Sequence, residues 1–184
     1  MKLIIGLGNP GKEYARTRHN AGYLAVEAFA KVHQAQWSTN DKRKATISKF
    51  QLDEQSILLA KPLTFMNLSG EAVQSLLSYY KADLKDVLII QDELDLPVGQ
   101  LAFIEEGGDA GHNGIASIQE MLGTKKITRL RIGVGRPTNA EPIEKWVLGP
   151  MDRQTVDTID RTPEAVEDWL VMEMGQVMNR WNRK

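Results

Sequence analysis

The hydrophobic positions change their period repeatedly along this chain. Alternating or β-branched runs at Lys2–Leu7, Thr46–Leu52, Ser56–Lys61, Val87–Gln91, Gln100–Ile104 and Arg129–Val134 are short and bounded by turn residues, so they read as strands. Between them lie stripes of helical spacing: Ala25, Ala28, Phe29 and Val32, then Val73, Leu76, Leu77 and Tyr80, then Ile115, Ile118 and Leu122. After Pro163, residues Val166, Trp169, Leu170, Val177 and Trp181 predict one longer amphipathic helix. The short link from Leu52 to Ser56 makes its two strands a hairpin, so the sheet is mixed. The pattern as a whole predicts a single α/β domain over residues 1–184. Its architecture is an α/β/α sandwich with a twisted mixed central sheet and helices on both faces.

Composition narrows what such a domain does. With Lys+Arg at 23 and Asp+Glu at 24 the net charge is -1, which excludes a wholly basic nucleic-acid binder but not a local basic face. There is no cysteine, so disulfides, thiolate zinc sites, iron–sulfur clusters and cysteine nucleophiles are all excluded. Apolar runs are too short to span a bilayer and the N-terminus lacks a signal pattern, so a soluble protein of the reducing cytoplasm is expected. Charge is uneven. Lys125, Lys126, Arg129, Arg131 and Arg136 form one basic cluster, Lys42, Arg43 and Lys44 a second, and Arg16 with Arg18 a third. Asp92 to Asp109 is acidic throughout. Such runs are commonly solvated faces, but three beside glycine-bearing loops suggest an anionic ligand.

Gly6, Gly8 and Gly11 match G-x-G-x-x-G after a strand, yet no helix opens at once and no acid ends a second strand at the required distance. What remains is a tight turn at a strand's C-terminal end, from which Asn9 projects its amide. A G-x-S-x-G elbow and a Walker sequence are both absent, and His19, His33 and His112 have no H-x-x-x-H spacing. Neither a metal nor a cofactor is expected. Asn67 and Asn113 could be simple helix caps and Asp92 a turn residue. Taken together, three amides, one His and one Asp at element ends suit a histidine general base with polar orienters.

Five segments carry a resemblance. GLGNPGKEYARTRHNAG, KPLTFMNLSG, QDELDLPVG, GHNG and RLRIGVGRP, in that order and spacing from Lys2 to about Gly149, resemble the signature stretches of the bacterial peptidyl-tRNA hydrolase family. The resemblance implies hydrolysis of the ester between a peptide and the terminal ribose of tRNA, recycling tRNA from abortive translation. It also implies an α/β sandwich acting as a monomer, without cofactor or membrane. By motif, His19 resembles the catalytic base, Asp92 its orienting partner, and Asn9, Asn67 and Asn113 the amides that hold substrate and water. Tyr14 and Met66 match positions lining the peptide groove, and Arg131 resembles half of a clamp on the tRNA 5′-phosphate. The implied partner is peptidyl-tRNA, at its CCA end and acceptor stem.

One departure stands out. The family usually has a basic residue in the strand after the D-L-P turn, completing the clamp, whereas here Ala102, Phe103 and Ile104 are followed by Glu105 and Glu106. The catalytic set is intact, so weakened tRNA binding is expected rather than lost chemistry. Arg131, with Lys125, Lys126 and Arg129, is expected to form the remaining basic surface. The rival reading is a non-catalytic protein on the same fold that binds a peptide or an RNA end.

Overall fold

In the computed structural model, which describes residues 1–182, one seven-stranded sheet organises the chain. The strands are β1 (Lys2–Gly6), β2 (Ser38–Asn40), β3 (Ala45–Leu52), β4 (Gln55–Pro62), β5 (Val87–Glu93), β6 (Leu101–Ile104) and β7 (Arg129–Gly133). Their order is β2-β3-β4-β1-β5-β7-β6. β4, β1, β5 and β7 run parallel, while β2, β3 and β6 pair antiparallel at the two edges. The sheet is therefore mixed, with helices on both faces.

The central strands are apolar on both sides because both faces are covered. Ile4, Leu88, Ile90, Leu130 and Ile132 pack against α1 (Ala21–Val32), α5 (Arg153–Ile159), α6 (Thr162–Val171) and α7 (Met174–Trp181). Leu3, Ile5, Leu58 and Ile89 pack against α2 (Ser69–Tyr80) and α3 (Asn113–Leu122) on the other face. The β3–β4 hairpin turns through Asp53 at a left-handed φ of 51°.

The single C-terminal helix expected from periodicity is in fact two helices, with Met172 and Glu173 extended between α6 and α7. In one straight helix Asp168 and Trp181 would lie about 20 Å apart. Instead Trp181 Nε1 donates to the buried Asp168 carboxylate at 2.7 Å, and Arg180 donates to it at 3.0 Å. The fold-back also protects the sheet edge. Asn182 accepts from the Phe103 N–H at 2.7 Å and donates to the Phe103 carbonyl at 2.9 Å, occupying both free backbone groups of that residue of β6. The short strand β2, helix α5 and the one-turn α4 (Ile143–Val147) carry too few residues to show a period.

Candidate active site

The parallel strands end on one side of the sheet, where open α/β sheets bind ligands. Gly6 and Gly22 let α1 settle there: a methyl on Gly6 would overlap the Gly22 carbonyl, and one on Gly22 would overlap the backbones of Leu7 and Ile90. That contact seats the 3-10 turn Arg18–Asn20, buried at all its residues, beside the ends of β1 and β5. Asn20 Oδ1 accepts from the Asn9 N–H at 2.9 Å, and Asn20 Nδ2 donates to the Asn9 carbonyl at 3.0 Å. The Asn9 side-chain oxygen accepts from the Met66 N–H at 2.8 Å. With its oxygen so occupied, Asn9 has its Nδ2 left as a donor without a partner among the described residues.

His19 Nδ1 lies 3.0 and 3.1 Å from the two carboxylate oxygens of Asp92, which is the penultimate residue of β5 and 3% exposed. Nδ1 therefore carries the proton it donates, and Nε2 is left as an acceptor. Asp92 has a second imidazole partner. His112 Nε2 lies 3.0 Å from Asp92 Oδ1, while His112 Nδ1 accepts from the backbone N–H groups of Gly114 and Ile115 at 3.1 and 3.3 Å. Because His112 Nδ1 is an acceptor capping α3, its Nε2 carries a proton and donates to Asp92. Burial disfavours the Asp92 carboxylate, but the two imidazoles outweigh it and hold its pKa well below the usual carboxylate range. Burial likewise disfavours a His19 imidazolium, yet the charge and hydrogen bond of Asp92 prevail and raise its pKa above the ordinary histidine value.

His19, Asp92 and His112 bring ligand-type atoms within 4.8 Å of one another. Histidine spacing gives no sign of that cluster. A metal on His112 Nε2 would have to displace a proton fixed there by two backbone donors at Nδ1, leaving an imidazolate. The donor set thus suits proton handling better than cation binding.

The pair opens on a cleft of about 600 Å³ lined by Asn9, His19, Met66, Asn67, Asp92, His112 and Asn113, with Phe65, Ile143, Val147 and Leu148 as apolar wall. Its charged lining is acidic: Glu93 and Glu144 join Asp92, and among the described residues neither Lys nor Arg contributes. Asn67 and Asn113 do not cap helices. Asn67 sits in the 3-10 turn Met66–Leu68 and is exposed, and the α3 cap is His112, so both amides are free to meet a ligand. Tyr14 is not part of the lining. Its ring meets Phe65 of that wall edge-on, with centroids 6.5 Å apart. Residues that sequence reasoning passed over include Asn20, which fixes Asn9, and His112, which shares Asp92. GHNG held the signal for His112, where Asn113 drew the attention.

The expected basic surface needs correction. Arg129 is 2% exposed and donates to the Gly108 carbonyl at 3.0 Å, so it supports the glycine loop rather than facing solvent. Arg131 is half-buried with Nη1 3.7 Å from Glu93 Oε2. In the β6–β7 register Ala102 faces Arg131 and Ile104 faces Arg129.

A sequence profile described as peptidyl-tRNA hydrolase matches residues 3–184. The chain is 43% identical over 189 residues to a peptidyl-tRNA hydrolase of Bacillus cytotoxicus, covering 99% of this chain and 100% of the relative. It is 38% identical to that of Oceanobacillus iheyensis, covering both chains in full. The crystal structure of peptidyl-tRNA hydrolase from Acinetobacter baumannii superposes with a TM-score of 0.91 at 33% identity, over 98% of this chain and 93% of the other. No helix among the described residues is long and apolar enough to cross a membrane. On sequence and on fold alike, the chain belongs to the peptidyl-tRNA hydrolase family.

Proposed function

We propose that the protein hydrolyses peptidyl-tRNA at the ester joining the peptide to the terminal ribose, through a water activated by His19. The observation that carries this reading is the His19 Nδ1 to Asp92 hydrogen bond, which leaves Nε2 free to take a proton beside the Asn9 amide. Membership in the family makes the protein an ester hydrolase acting on peptidyl-tRNA. In the proposed reaction a water between Nε2 and the ester gives its proton to Nε2 as its oxygen bonds to the carbonyl carbon. The carbonyl oxygen becomes an oxyanion and receives a hydrogen bond from Asn9 Nδ2. Collapse breaks the bond to the ribose oxygen, and the imidazolium returns the proton to that leaving group. Asp92 stabilises the transient imidazolium, and His112 holds Asp92 ionised.

An ester is activated enough for this to proceed without a covalent nucleophile. Asn67 and Asn113 bind the peptide backbone, which suits a substrate of varying sequence, and Met66 lines its groove, with Tyr14 against Phe65 of the wall. The CCA end enters the cleft while Arg131 meets a phosphate of the acceptor stem. One domain, acting as a monomer in the cytoplasm, does this work. The test is the hydrolysis of N-acetylaminoacyl-tRNA by His19→Ala. A fall in kcat of roughly 10²–10⁴-fold is expected for loss of a general base. A rate close to wild type would exclude His19 as that base and reopen the binding-protein reading.

A further inference from the structure

Arg18 is buried, at 8% exposure, one residue before His19 and with no carboxylate within ion-pair distance among the described residues. A buried cation without an acid needs another partner. Its guanidinium lies over the indole of Trp146, 3.6 Å from the ring centroid, and Nη1 donates to the Trp146 carbonyl at 3.1 Å. Trp146 is fixed in turn, its Nε1 donating to the Gly135 carbonyl at 2.8 Å. The backbones are joined as well. The Arg18 N–H donates to the Gly149 carbonyl at 3.0 Å, Thr17 bridges Pro150, and the Met151 N–H donates to the Arg16 carbonyl at 3.1 Å. Gly149 leaves room for this approach, since a methyl there would come 2.9 Å from Arg18 Nη1 and push the guanidinium aside. Trp146 belongs to α4, which puts Ile143 and Val147, with Leu148 just after it, into the wall of the catalytic cleft.

We propose that Arg18 and Trp146 form a latch that ties α4 to the turn carrying His19, so that the apolar wall for the peptide and the catalytic base keep a fixed spacing. Arg18 is thus a positioning residue. It touches neither substrate nor reacting atoms, and it acts through α4 on the binding of the peptide's side chains. The proposal rests on the peptidyl-tRNA reading for its kinetics but not for its structural consequence. Lost wall contacts of this kind raise KM and leave kcat nearly intact, because they hold ground state and transition state alike.

Two measurements on the full chain test it. Hydrogen exchange needs no substrate: Arg18→Met should speed exchange across residues 142–151 while β1 and β5 stay protected. Unchanged exchange in 142–151, or equal loosening of β1 and β5, would overturn the latch. In kinetics, Arg18→Met and Trp146→Leu should each raise KM for N-acetylphenylalanyl-tRNA by roughly 5–30-fold, the worth of a desolvated cation–π contact. KM for N-acetylglycyl-tRNA should hardly change, since glycine offers the wall no side chain. Trp146→Phe keeps an aromatic face for Arg18 and should restore most of the affinity. Equal effects on both substrates, or Trp146→Phe as damaging as Trp146→Leu, would refute the proposal. If the wild type turned over neither substrate, the functional reading would fail while the exchange result still decided the latch.

Discussion

Asn9 allows the catalytic and structural shares of one side chain to be separated. Its oxygen accepts from the buried Met66 N–H at 2.8 Å, and its amide nitrogen is the donor assigned to the oxyanion. Asn9→Ala removes both. The orphaned Met66 N–H costs about 1–3 kcal/mol of stability, and the lost oxyanion donor about 2.7–4 kcal/mol of activation free energy, or 10²–10³-fold in kcat. Asn9→Asp keeps an oxygen for Met66, so urea unfolding should show most of the stability retained. It offers the oxyanion a carboxylate in place of a donor, so kcat should fall at least as far as in Asn9→Ala. Single-turnover hydrolysis of N-acetylaminoacyl-tRNA, read beside urea melts, measures both quantities. An Asn9→Asp enzyme with kcat near wild type would refute the oxyanion role, whatever its stability.

Two other outcomes follow from the same geometry. As the proposed base His19 is active only when neutral, and Asp92 raises its pKa, so the acid limb of kcat/KM should lie above the ordinary histidine value. In Asp92→Asn nothing opposes the effect of burial, so that limb should move below the ordinary value as the plateau rate drops; a limb that stayed in place would break the proposed link between the two residues. Ile104→Lys tests the departure in the phosphate clamp. Ile104 sits diagonal to Arg131 across the β6–β7 pair, within reach of a lysine side chain. One restored phosphate contact should steepen the log–log salt dependence of tRNA binding by about 0.7–0.9. Hydrolysis of a short peptidyl-CCA ester should be unaffected, and an unchanged salt slope with intact tRNA would sink the inference of a broken clamp at this position.

What the residues reveal in advance depends on the kind of force involved. Leu3, Ile4 and Ile5 or Leu88, Ile89 and Ile90 announce buried strands because burial on both faces demands unbroken apolar runs. The break between α6 and α7 was hidden, since Val166, Trp169, Val177 and Trp181 keep a helical period across it. It is set by a polar event, the capture of Trp181 and Arg180 by Asp168, which periodicity does not record. Arg129 misled for a similar reason. A basic run reads as surface, but the glycine loop above β7 needed a donor for the Gly108 carbonyl and drew the arginine inward. His112 was equally illegible, because its role depends on Asp92 arriving from another strand. The signature segments are visible in sequence; which proton each histidine carries becomes visible only once the backbone donors of α3 are in place.

The turn Arg18–Asn20 shows why the site tolerates so little slack. Arg18 holds α4, His19 meets Asp92, and Asn20 clamps the backbone of Asn9. Of three neighbouring side chains in one buried 3-10 turn, one reaches the apolar wall, the next is the proposed base, and the third fixes the backbone of the proposed oxyanion donor. A displacement of about 1 Å at the base or the donor can cost on the order of 10²-fold in rate, so tying both to one rigid turn keeps their errors correlated. Rigidity here comes from the Gly6–Gly22 contact, where α1 and β1 approach too closely for a Cβ on either glycine. A small addition at that contact, far smaller than any loop rearrangement, would therefore shift the wall, the base and the donor together.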